Sequence, residues 1–155
     1  MSIEESRSGK STKGPIYRAL RIVIVGCGIT GSAVSVKLSD TGNIVKVIDC
    51  DRRSFELLPI RRIETNRIVP IVGDGTNELD LRKANVQEAD ILLTLTGQDT
   101  INIMSAQIGR HIFQVPKVIC RIKNVEIRTI YQEVGLITVA PSELERDFLF
   151  DQAIF

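Results

Sequence analysis

The chain has 155 residues, 43% of them hydrophobic and 25% charged, with 5 Pro, 3 Cys and no Trp, the composition of one ordinary soluble globular domain. Its longest apolar runs, such as Ile22 to Val25 and Ile91 to Leu95, are about a quarter of the roughly 20 residues that a bilayer requires, so no segment is expected to span a membrane by itself. With 20 basic against 19 acidic residues there is no overall field to draw in nucleic acid or an anionic lipid surface, so any function must come from a local site.

Residues 1–19 form an expected flexible tail, because Met1 to Pro15 hold mostly Ser, Gly, Lys and Glu and too little apolar surface to order themselves. Gly9-Lys10-Ser11 looks like the end of a phosphate loop but lacks the upstream glycine and the preceding strand. From Leu20 to Pro141, short apolar runs alternate with helical stretches, the rhythm of a parallel sheet. Strands are expected at Leu20 to Val25, Ile44 to Asp49, Ile68 to Val72, Ile91 to Leu95, Val118 to Ile122 and Ile137 to Ala140. None alternates with period two, which suits strands covered on both faces. Pro70 removes a ladder donor from the third run, and in the doubly wound order 3-2-1-4-5-6 that strand lies at an edge. Helices are expected at Ser32 to Leu38, at Asp99 to Phe113 with a stripe of Ile101, Met104, Ile108 and Ile112, and at Asn124 to Gly135 with a face of Ile127, Ile130, Tyr131 and Val134. Asn124 and Gly135 cap the last of these, and the single histidine, His111, is expected at the surface. Ser142-Glu143-Leu144-Glu145 has the pattern of a capping box opening a terminal helix, residues 142–155, that carries Phe148, Leu149, Phe150, Ile154 and Phe155. So apolar a helix at the end of the chain either packs on a neighbour or has been cut there.

The informative motif is Gly26-Cys27-Gly28-Ile29-Thr30-Gly31, between a buried strand and a helix. Gly26 permits a tight turn, Gly28 lets backbone approach a pyrophosphate, Gly31 lets the helix pack close, and the first helical N–H groups offer an anion site. Asp49 ends the second strand 21 residues after Gly28, near the spacing of about 20 expected for the acid that accepts from an adenosine ribose. Asp49 would repel a ribose 2′-phosphate, favouring NAD or another unphosphorylated adenosine ribose over NADP. Arg52 and Arg53 could pair with such a phosphate, but at the start of a short helix headed by Asp51 they read more simply as a solvated face. Gly73-Asp74-Gly75-Thr76 lies where ligands of open α/β sheets collect, and there Asp74 could face an adenine amino group or merely build a turn capped at Thr76 or Asn77.

The three cysteines, Cys27, Cys50 and Cys120, are too few and too scattered for a disulfide framework or a C-x-x-C metal site, and with no signal peptide they read as reduced thiols of a cytoplasmic compartment. Cys27 sits near a helix N-terminus, where a thiol pKa can fall; its plainer role is a small apolar filler, and Cys50 and Cys120 look more inert still.

These pieces together resemble the Trk-type potassium-uptake regulators, specifically their N-terminal nucleotide-binding domain (TrkA-N, or KTN/RCK N-terminal). The resemblance rests on the Gly26 to Gly31 loop, Val47-Ile48-Asp49 with Asp51, Gly73 to Thr76, Leu81 and Ala84 leading to Ala89-Asp90, Thr96 with Asp99 and Asn102, Val118 to Arg121, and Val139-Ala140-Pro141. It implies a Rossmann-like doubly wound parallel sheet of about six strands over residues 20–141, followed by a C-terminal helix. It implies a sensor and not an enzyme, which binds NAD(H), or alternatively ATP, ADP or AMP, and changes shape to gate a membrane-embedded potassium channel or transporter subunit. The protein would be cytoplasmic, peripheral to the inner face of the membrane through that partner, at least a dimer, and without a nucleic-acid partner. Carried over by position, the candidate site comprises Gly26, Cys27, Gly28, Ile29, Thr30 and Gly31 around the phosphates, Asp49, Cys50, Asp51 and Arg52 around the ribose, and Asp74, Gly75 and Thr76 beside the adenine. Thr96, Gly97, Asp99 and Arg121 border the far side. No catalytic or metal residue is implied. Two departures stand out: many members carry Arg where this chain has Ile29, and full regulators continue into a second ligand domain. The competing reading is a small NAD-dependent oxidoreductase or the dinucleotide-binding subunit of a dehydrogenase; it lacks a proton donor, since neither Tyr17 nor Tyr131 stands in a Tyr-x-x-x-Lys arrangement.

Overall fold

A computed structural model describes residues 18–154; the phosphate-loop look-alike, Tyr17, all but two residues of the expected tail, and Phe155 lie outside the described residues. Six parallel strands form one sheet in the order β3-β2-β1-β4-β5-β6, where β1 is Arg21–Val25, β2 Ile44–Asp49, β3 Ile68–Val72, β4 Ile91–Thr94, β5 Lys117–Arg121 and β6 Ile137–Val139. The helices are α1 (Ile29–Asp40), α2 (Ile60–Glu64), α3 (Glu78–Lys83), α4 (Asp99–Gln107), α5 (Val125–Glu133) and α6 (Pro141–Ile154). The doubly wound order expected from the sequence is the one found, with Pro70 opposite Val47 in the edge strand β3.

Alternate residues of β1 enter two separate cores, which explains the missing polar alternation. Ile22 and Ile24 join Val45, Val47, Ile68 and Leu58 beneath α1 and α2. Val23 and Val25 join Ile48, Leu81, Leu92, Ala106, Val118 and Leu136 on the other face.

Helix α1 lies close to the sheet, because the residues it buries are the small ones Gly31, Ser32, Ser35 and Ser39. Their hydroxyls bond back into the helix, Ser35 Oγ to Gly31 O at 2.6 Å for example, so no polar group is stranded.

The structure corrects three local expectations. On α4 the buried residues are Asn102, Ser105 and Ala106, followed by Gly109 in a π-turn over Ile108–Ile112; Met104 and Ile112 of the expected stripe are exposed. The sheet is too near for a large side chain: a Cβ on Gly109 would stand 2.2 Å from Leu92 Cδ2. The apolar face of α5 is likewise not core, since Ile127, Ile130 and Val134 are exposed and only Tyr131 packs on the main cluster. Its caps are as expected: Asn124 Oδ1 accepts from Ile127 N, and Gly135 (φ +90°) closes the helix, with Leu136 N donating to Tyr131 O. Third, α6 begins at Pro141, with Glu143 N and Leu144 N donating to Ala140 O, so Ser142 lies inside the first turn and builds no capping box. None of α6 is buried, and the half-buried pair Arg128–Glu143 (2.7 Å) ties its start to α5. Among the described residues no helix is long and apolar enough to cross a membrane.

Candidate functional site

The carboxyl ends of β1 to β5 surround a cleft of about 760 Å³ at the point where the strand order reverses. Its centre is the glycine loop. Gly26 adopts φ +103°, donates its N–H to Ile48 O at 2.8 Å, and leaves no room for a Cβ, which would stand 2.9 Å from Thr96 N. Gly31 is pressed on the same residue: a Cβ there would lie 1.9 Å from Gly26 O. Gly28 differs from both, with an ordinary φ of −75° and open space where a side chain would be. It precedes α1 without a side-chain cap, so the first N–H groups of a 12-residue helix face the opening, a fitting place for an anion.

Asp49 holds this loop in place. Its Oδ2 accepts from Cys27 N and its Oδ1 from Asp51 N, each at 2.8 Å, which leaves one further acceptor position on each oxygen. Asp51 turns away to cap the following 3-10 turn and pairs with Arg53, whose hydrogen bond holds its carboxyl below the ordinary range. Arg52 is exposed beside it and does not line the cleft. On the β3 side, Asp74 Oδ1 accepts from both the N–H and the hydroxyl of Thr76, while Asn77 caps α3, so the turn and the cap both form and Asp74 still borders the cleft.

On the other side Thr96, Gly97 and Gln98 follow β4 and Arg121 ends β5. Arg121 makes no ion pair among the described residues, and its Nε is buried without a hydrogen-bond partner. A guanidinium left in this condition beside a cleft is prepared for an anion.

Of the residues singled out in the sequence, the cleft gathers Gly26, Gly28, Ile29, Thr30, Asp49, Cys50, Asp74, Gly75, Thr96, Gly97 and Arg121. It does not gather Cys27, Gly31, Asp51, Arg52, Thr76 or Asp99. Cys27 is fully buried behind the loop, its thiol pushed up to about 11 by burial and by Asp49, which is the filler's environment and not that of a reactive thiolate. Asp99 faces away and accepts from Lys123 N and Asn124 N. Cys50, expected to be inert beside a buried strand, is exposed at the rim. His111 is exposed, as expected. Ser54, Gly73, Gln98 and Ile101 also line the cleft, though none is among the candidate site residues read from the sequence. Gly73 carried a signal as the first residue of the Gly73 to Thr76 motif, and Ile101 carried a misleading one, its place on an apolar stripe pointing to the core.

The family model for the TrkA-N domain matches residues 22–141. The chain belongs to the TrkA-N domain family. It is 35% identical over 125 residues to the Trk system potassium uptake protein TrkA of Streptomyces coelicolor, across 78% of this chain and 52% of that protein, so it spans about half the length of that relative. Among solved structures, the TrkA-N domain of the inner membrane protein ybaL from Escherichia coli superposes with a TM-score of 0.74 at 16% identity, covering 87% of this chain and 97% of that one. The Kef CTD of Shewanella denitrificans in its AMP-bound form gives 0.70 at 17% identity, covering 86% and 79%. These two likenesses show that the fold is shared.

Proposed function

We propose that this chain is the nucleotide-sensing part of a potassium-uptake regulator. It takes NAD(H), or alternatively ATP, ADP or AMP, into the cleft and passes the occupancy to a membrane-embedded channel or transporter subunit, from the cytoplasmic face and as at least a dimer. The observation that carries this reading is the charge order along the sheet edge: Asp74 and Asp49, then the open amides of the glycine loop, then Arg121. Acceptors for ribose hydroxyls and an adenine amino group stand at one end, and donors for phosphate stand in the middle and at the other. The family membership and the AMP-bound Kef neighbour support it. In this reading Asp49 bonds the ribose, and the first turn of α1 at Gly28, Ile29 and Thr30 receives the first phosphates. Gly31, Cys27, Asp51 and Thr76 shape the loops without touching the ligand.

A thermal-shift panel of NAD(H), NADP, ATP, ADP and AMP, with mass spectrometry of any nucleotide retained on purification, tests the proposal. Ligand at about 100 times its dissociation constant should add roughly 2.7 kcal/mol of stability, and Asp49→Ala should remove most of that gain. If no adenine nucleotide shifts the wild-type melt, the cleft is not a nucleotide site. Single-turnover hydride transfer from bound NADH would instead return the oxidoreductase reading.

A further inference from the structure

The two edges of the sheet, β3 and β6, each have a neighbouring strand on one side only, and an open edge is a template for pairing with another chain. On β3 the direction of each backbone group follows from two bonds to β2: Arg67 O accepts from Val45 N and Gly73 N donates to Asp49 O, both at 3.0 Å. In the parallel register Val45↔Ile68, Val47↔Pro70 and Asp49↔Val72, the residues that serve β2 are therefore 67, 69, 71 and 73. Ile68, Pro70 and Val72 point their backbone groups outward. Of these, Ile68 is completely buried, Pro70 has no N–H, and Val72 is 46% exposed. The proline thus costs the sheet no bond, since the donor it lacks would have faced the open side. It leaves Val72 as the one residue of β3 that combines exposure with an outward N–H. The opposite edge is closed by other means. Val139 O accepts from Ile122 N, so within β6 only Thr138 faces outward, and the residues around it are already engaged: Leu136 N donates to Tyr131 O, and Ala140 O accepts from Glu143 N and Leu144 N.

We propose that Pro70 guards β3 against strand addition by a second copy of this chain, so that copies can meet through helical faces but not by extending the sheet. The need for a guard lies in the run itself. Ile68-Val69-Pro70-Ile71-Val72 holds four β-branched residues and no charge, and with a donor at its centre it would be an apolar strand of the sort that pairs with its own kind. Strands laid side by side bond through alternate residues, and any register that uses the accessible part of β3 brings in residue 70. There the ring supplies no donor, and its carbon stands where the N–H would point, against the carbonyl of the arriving strand. The inference is independent of what the cleft binds.

The test compares the full chain with Pro70→Val, Pro70→Ala and the double variant Pro70→Val with Val72→Pro, by light scattering over a concentration series and by the melting temperature of each. Pro70→Val returns an outward N–H without disturbing any bond to β2. It should melt within about 5 °C of wild type and, as concentration rises, form assemblies of at least about twice the wild-type mass. Pro70→Ala should do the same to a lesser degree, and it decides the matter if valine overfills the space left by the ring. In the double variant the block moves to the other exposed outward position, again at no cost to the ladder, and the assemblies should return to the wild-type mass. Valine and alanine variants that both keep the wild-type mass at every concentration would overturn the proposal. So would growth that Val72→Pro fails to reverse, or growth accompanied in both single variants by a fall in melting temperature of more than about 5 °C, since the added mass would then come from unfolded chain and not from the edge.

Discussion

Gly28 and Gly31 belong to the same loop, three residues apart, and a single methyl group should separate their roles. In Gly31→Ala the new Cβ would stand 1.9 Å from Gly26 O, about 1.5 Å short of an ordinary contact, and the obstacle is backbone that cannot rotate away. Either α1 lifts from the sheet, opening a gap along Ser32, Ser35 and Ser39, or the Gly26 turn distorts and loses its 2.8 Å bond to Ile48 O. Overpacking of this kind costs about 2 to 3 kcal/mol, which for a domain of this size is a fall in melting temperature of about 5 to 10 °C. In Gly28→Ala the methyl meets nothing within 4 Å and the backbone is already in an ordinary region, so stability should stay within about 0.5 kcal/mol of wild type. The methyl does, however, occupy the approach to the first amides of α1, and nucleotide affinity should fall about tenfold or more. Thermal melts and calorimetric titration of both variants decide the matter. A Gly31→Ala protein that melts within 2 °C of wild type, roughly 1 kcal/mol, would refute the close-packing argument.

Ile29 is 85% exposed at the mouth of the cleft, so Ile29→Arg should fold normally and, by adding a bidentate donor, raise the preference for ATP over ADP about tenfold; unchanged ratios in titration would mean that the position does not reach the terminal phosphate. Alkylation of the native protein should modify Cys50 alone, with Cys27 and Cys120 labelled only after unfolding, and a saturating nucleotide should slow the reaction at Cys50 because it lines the cleft. Both buried thiols are raised from 9.0 to about 11, so the unfolded chain gives up their protons first and stability should decline between about pH 9 and 11; in Cys27→Ala that decline should be shallower in alkaline melts. Deleting residues 148–155 should convert an oligomer into monomers in light scattering, since Phe148, Leu149, Phe150 and Ile154 stand more than half exposed on α6; a full-length chain that is monomeric at high concentration would defeat the idea. Glu143→Gln removes the charge that holds Arg128 and should speed hydrogen exchange in α6 while leaving AMP affinity unchanged; equal exchange would show that the pair anchors nothing.

What the sequence made legible was the part of the fold governed by covered strands and glycines. Six runs of Ile, Val and Leu, one proline in the third, and a spacing of 21 residues from Gly28 to Asp49 sufficed for sheet order, switch point and cleft. It misled wherever a helix offered two stripes of the same period. On α4, Ile101, Met104, Ile108 and Ile112 compete with Asn102, Ser105, Ala106 and Gly109, displaced by one residue or more, and hydrophobicity favours the first. The second is buried because its members are small enough, or polar enough to be needed, at short range: Ser105 Oγ donates to Gly75 O at 2.6 Å, and Asn102 joins two strand ends. Period alone does not tell a large apolar face from a small hydrogen-bonded one. The family resemblance puts Asp99 beside the cleft, but a carboxylate at the start of a helix beside a cleft gives no sequence sign of whether it faces a ligand or a neighbouring loop. Ser54 enters the cleft from a short 3-10 turn and Gln98 from a loop, neither long enough to carry a periodicity.

A chain with a net charge of only +1 has no overall field to draw in an anion, so the proposed nucleotide site depends on local arrangement. Pairs such as Arg82–Glu78, Lys83–Asp80 and Arg53–Asp51 lie at the surface and cancel at the distance of an approaching ligand. Arg121 and Asp49 have no such partner side chain among the described residues, and they stand at strands about 14 Å apart on opposite sides of the glycine loop. A ligand with hydroxyls at one end and phosphate at the other therefore meets a field with one favourable orientation. A nucleoside phosphate bound the other way round would set phosphate against Asp49 and Asp74, where like charges repel. Polarity of this kind also gives the strand order its consequence. Because β4 leaves β1 on the side opposite β2, the acids that follow β2 and β3 and the guanidinium that ends β5 fall at opposite ends of one cleft.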